Sequence, residues 1–109
     1  MFANLFATAL VVVGGLAAAQ APINAALARS LASPLAASVV SFSVGLVLLL
    51  GLTLIWSGPA VVLRLSAVPL WQFTGGLLGA LYVYAMIMGV PQLGGVSALA
   101  ALMVGQMLG

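Results

Sequence analysis

The sequence predicts an all-α integral membrane bundle of about four transmembrane helices, and three observations carry that prediction. Hydrophobic residues make up 66% of the 109-residue chain. Charged residues make up only 2%, against roughly 25% in an ordinary soluble domain. Mean hydropathy is +1.44, carried by apolar runs of the length that crosses a bilayer. Lipid is therefore the expected solvent for most of the surface.

Breakers divide the chain into elements. The first helix is expected over residues 3–28. It is preceded by Met1 and Phe2 without the basic residues of a secretory signal, and its apolar run is too long for a signal's core, so it is read as a retained span. It stops at Arg29-Ser30-Leu31-Ala32-Ser33. Ser33 followed by Pro34 is an N-cap and first-turn pair, which starts the second helix over residues 34–56. Ser57-Gly58-Pro59 is turn chemistry, and the stretch from there to Val68 is expected to lie at the membrane interface, carrying Arg64. Pro69 opens the third helix, residues 69–90, which Pro91-Gln92-Leu93-Gly94-Gly95 should end. The fourth runs over residues 95–109, the whole forming a single transmembrane domain. That last stretch of about 15 residues rises roughly 23 Å, short of a hydrocarbon core near 30 Å, so either the bilayer thins there or the natural chain continues. Trp56 and Trp71 end helix two and begin helix three, on the same membrane surface as Phe2. They form an interfacial aromatic belt.

Arg29 and Arg64 are the only charged side chains. They sit in successive loops, hence on opposite faces of the membrane, and cancel as an orientation signal. Two outcomes are open: neighbouring sequence or a partner sets the orientation, or copies insert both ways in a dual topology. The basic isoelectric point reflects missing acids and is no nucleic-acid patch. With no Cys, His or carboxylate, no disulfide, metal centre or cofactor site is expected. No side chain can carry a proton through the membrane at neutral pH, and the serines have no base to activate them, so an enzyme is excluded.

A few polar residues inside the spans remain to be explained. Gln20 and Asn24 are one helical turn apart and share a face, with Pro22 between them. Pro22 has no N–H, so the Ala18 carbonyl loses its helical partner and needs water, protein or ligand beside it. Kinked helices with polar side chains beside freed carbonyls are how many transporters build substrate sites, which makes Gln20, Asn24 and this carbonyl a candidate uncharged hydrogen-bonding site. The alternative is that the two amides only join helices. Ser38, Ser41 and Gly45 form a small-residue stripe on helix two suited to close packing, and Gly75 and Gly79 form a GxxxG motif on helix three. On the same seam, Tyr82 is a phenol at mid-membrane depth that wants a partner, from another helix or from a ligand. Gln106 follows Gly105 in the last helix as a further candidate.

Five phrases, taken in order, resemble the YdcZ family of bacterial inner-membrane proteins within the drug/metabolite transporter superfamily. They are Gln20-Ala-Pro-Ile-Asn24-Ala-Ala-Leu-Ala-Arg29; Ser33-Pro34-Leu-Ala-Ala with Ser41-Phe42-Ser-Val-Gly45; Gly75-Gly76-Leu-Leu-Gly79-Ala-Leu-Tyr82-Val; Pro91-Gln-Leu-Gly94; and Gly105-Gln106. The resemblance implies a multi-pass transporter or exporter of small metabolites, its substrate unidentified, and it raises Gln20, Asn24 and Gln106 as site residues. Family members are longer, with about five helices, so this chain is expected to be a truncated five-helix unit or a half that needs a partner. The superfamily's small multidrug exporters are antiparallel dimers that use an acidic residue in the first helix. No such residue exists here, and their proton exchange does not carry over.

Two functions follow. One is a small-molecule carrier working as an oligomer, an antiparallel dimer or a pair with an inverted homologous partner, because four helices are too few to enclose a path alone. The other is a non-transporting membrane subunit, a packing partner, or an inactive fragment of a longer transporter.

Overall fold

The computed structural model describes residues 1–109. Four α-helices account for most of the chain: α1, Phe2–Leu31; α2, Pro34–Trp56; α3, Thr74–Leu93; and α4, Gly95–Leu108. Between α2 and α3 the backbone winds into two 3₁₀ segments, Pro59–Ala67 and Leu70–Phe73. Three spans, Phe2–Leu31, Pro34–Trp56 and Leu70–Leu93, are long and apolar enough to cross a membrane, and α4 is a shorter apolar helix.

Helix α1 runs three residues past its expected end. It is closed by Ala32 in the left-handed conformation (φ 55°), whose N–H bonds the Ala28 and Arg29 carbonyls. A left-handed closure is usually a glycine's, so nothing in the composition of this loop announces it. Helix α2 begins where Ser33 and Pro34 predict: the Ser33 hydroxyl oxygen accepts from the Ala36 N–H at 3.0 Å. Pro69 opens a 3₁₀ turn, with α proper starting only at Thr74, whose hydroxyl donates to the Trp71 carbonyl at 2.6 Å. Helix α3 then continues through Pro91 and ends at Gly94, at φ 83°. Proline removes one hydrogen bond and bends a helix without obliging it to stop. Glycine at positive φ does stop it.

Packing is concentrated at one end. Helix α1 packs on α2 and α3, α2 packs on α3, and α4 lies on α3 with a lighter contact to α1. The buried residues are Asn24, Ala25, Ala28, Ala37, Ser38, Ile87 and Ala98. All lie toward the C-terminal ends of α1 and α3 and the N-terminal ends of α2 and α4. Ala28, Ala37 and Ile87 meet there as a three-residue core, backed by Leu27 and Val83. The first half of α1 and the second half of α2 are almost wholly exposed. Trp56, Trp71 and Phe2 are exposed as well, as an aromatic belt in head groups requires.

Candidate functional site

Gln20 and Asn24 stand on one face of α1, and across from them α3 presents Tyr82, Val83, Met86 and Ile87. Together with Ala17 and Ala21 these residues line a narrow cleft. Gln20 lies eleven residues before Leu31, and Tyr82 eleven before Leu93. At 1.5 Å per residue both sit about 16 Å from the helix ends, near the middle of a hydrocarbon core about 30 Å thick. Three of the four candidate binding residues thus converge in one cleft, Gln20 and Tyr82 near mid-depth and Asn24 about one turn nearer the Arg29 end.

The cleft's polar groups lack protein partners. The molecule has seven side-chain hydrogen bonds, and every one involves a serine or threonine and a backbone group three or four residues away. None is made by a carboxamide, a phenol or a guanidinium. Asn24 is only 6% exposed, yet its amide bonds nothing in the protein. No buried side-chain nitrogen or oxygen is both sealed off and unsatisfied, so the Asn24 amide reaches the cleft. Its donors and acceptor are therefore open to water or to another hydrogen-bonding molecule that enters the cleft. The free volume of about 20 Å³ fits a single water molecule. Pro22 lies inside α1 between the two amides, leaving the Ala18 carbonyl without its helical N–H.

Gln20 also forms part of a second cavity, between α1 and α2, of about 340 Å³, which Ser41, Phe42, Gly45, Leu46 and Leu49 complete. Ser41 carries information that its small-residue stripe conceals. Ser38 and Ser43 donate to the carbonyls of Pro34 and Val39, at 3.0 and 2.7 Å. Ser41 makes no such bond, so its hydroxyl is available to a guest beside Gln20. The signal was present in the loop length. A tight connection centred between Ala32 and Ser33 pairs antiparallel positions that are equidistant from it, placing Ala28 opposite Ala37, as observed, and Asn24 level with Ser41.

The remaining candidates stand apart. Gln106 is exposed on α4 and lines no cavity with the other three. Gly45, Gly75 and Gly79 have no atom within 4 Å of where a Cβ would stand, so within one protomer the GxxxG motif brings no helix close.

An apolar helical bundle with three spans long enough to cross a bilayer defines a multi-pass membrane protein. Family comparison makes it particular. The family described as "Putative inner membrane exporter, YdcZ" matches residues 5–109, and the chain belongs to that family. It is an inner-membrane protein, and the resemblance read from the Gln20–Arg29 and Gly75–Tyr82 phrases holds over nearly the whole chain. No curated protein and no solved structure matches it.

Proposed function

We propose that the chain moves a small, hydrogen-bonding solute across the inner membrane, with Gln20, Asn24 and Tyr82 contacting it and Ser41 assisting beside Gln20. The observation that carries this is Asn24, a largely buried residue whose amide has no protein partner and opens into the same cleft as Gln20 and Tyr82. Amides are donors and acceptors at once, and no side-chain charge lies at this depth, so selection rests on hydrogen-bond pattern and shape. Family membership supports export as the direction.

The working unit in this proposal is an antiparallel pair of copies. The cleft that brings Gln20, Asn24 and Tyr82 together has room for about one water within one protomer, too little for a solute. Its exposed Gly75 face and the Gln106 amide are surfaces that a second copy would cover. Arg29 and Arg64 at opposite faces permit either insertion.

The test is transport in everted membrane vesicles, with a panel of radiolabelled neutral metabolites. Gln20→Leu removes an amide's hydrogen bonds at nearly constant volume, so uptake should fall on the order of 10- to 100-fold at unchanged membrane level. Full activity in that variant would remove Gln20 from the site, and no uptake of any solute by the wild type would favour the non-transporting subunit. Dual insertion is tested on the cysteine-free chain with Ser30→Cys and Ser66→Cys, labelled in intact cells by an impermeant thiol reagent. Substantial labelling of both supports the antiparallel pair, and labelling of one alone defeats it.

A further inference from the structure

Ile87 touches two spaces at once. It forms part of the amide cleft and also lines a separate cavity of about 230 Å³ at the packed end of the bundle, where Arg29, Ser33 and Gln92 converge from α1, the start of α2 and α3. Ile87 itself is 2% exposed and packs with Ala28 and Ala37 in the core. An alanine has no side-chain rotamer to change, so of these three only Ile87 carries a movable group. Ile87 is also the one residue that lines both cleft and cavity.

The backbone on both walls is loosened close to that point. Pro91, four residues beyond Ile87, leaves the Ile87 carbonyl without its helical N–H, and Pro22 does the same for Ala18 on α1. Proline sites are where helices bend, so α1 and α3 each carry a bend site along this seam. On the far side, the cavity contains Arg29 and the sequence contains no acidic side chain to neutralise it.

We infer that Ile87 is the gate between the amide cleft and a vestibule at the Arg29 end, and that solutes pass between site and membrane face along the α1–α3 seam. The inference rests on the cleft being the binding site, but its test measures access and needs no transported substrate. The vestibule's cationic lining makes it more accessible to anionic than to cationic solutes.

Ala21→Cys places a single thiol in the cleft of the cysteine-free chain. The protein, in proteoliposomes, is treated from outside with an anionic sulfonatoethyl or a cationic trimethylammonioethyl methanethiosulfonate. Ser30→Cys, labelled in parallel, counts the copies whose Arg29 end faces outward. Ile87→Ala should speed Ala21→Cys labelling about tenfold in that fraction of copies and no other. Ile87→Val, which keeps the fold with a smaller side chain, should speed it two- to threefold, and Ile87→Trp should slow it. The anionic reagent should react faster than the cationic one, with Arg29→Gln removing the difference. Unchanged rates in both Ile87→Ala and Ile87→Val overturn the gate. So does an equal acceleration in copies of either orientation, which would mean that the bundle has merely loosened.

Discussion

The two ends of this bundle are built by different rules. At the Arg29 end, Ala28, Ala37 and Ile87 bring three helices together, and Ala37 is 0% exposed. At the other end the helices expose Leu, Val and Phe along their length. In water such an end would collapse, but lipid tails are as apolar as leucine and supply no force to close it. Helices in a bilayer associate where small side chains allow dense contact. Here that condition is met at the alanine-rich end, and the other end is left for lipid or a second copy.

This contrast can be broken at the packed end first. Ala37→Leu forces three extra carbons into a site with no free surface and should destabilise the protomer by about 1–3 kcal/mol, read as a lower thermal midpoint in detergent. An unchanged midpoint would mean that the packed end is looser than described. Ser33→Ala removes the cap that starts α2 beside that core and should cost about 1 kcal/mol, measured in the same way. The smallest effect on the protomer is expected from Gly75→Leu, within about 0.5 kcal/mol of the parent as for a surface change, since nothing stands near that position. The same variant should sharply reduce cross-linked pairs in membranes if a second copy covers the face. A large loss of protomer stability would instead show that the open end closes on itself.

Much of this was legible along the chain. Ser33-Pro34 marks the start of α2 because capping is local chemistry between residues three apart, and Gln20 and Asn24 share a face because helical geometry puts them there. Less legible were the helix ends. Pro91 reads as a terminator, yet α3 passes through it to Gly94, and Ala32 closes α1 in a conformation usually taken by glycine. The position of Ser41 was hidden for a related reason: its stripe reads as packing until the pairing of α1 with α2 places it in one cavity with Gln20.

Composition and hydropathy by themselves determined that the chain lives in a membrane as helices, since a backbone in lipid must satisfy its hydrogen bonds internally and 2% charge cannot clothe a soluble surface. Local spacing determined which residues of α1 face together. The tertiary structure decided that Tyr82 joins Gln20 and Asn24 while Gln106 does not, that Asn24 goes without a protein partner, and that Ile87 lines both the cleft and the Arg29 cavity. Those facts depend on the register at which α3 lies against α1, and register is set by how side chains from distant parts of the chain interlock, which no single helix's sequence contains.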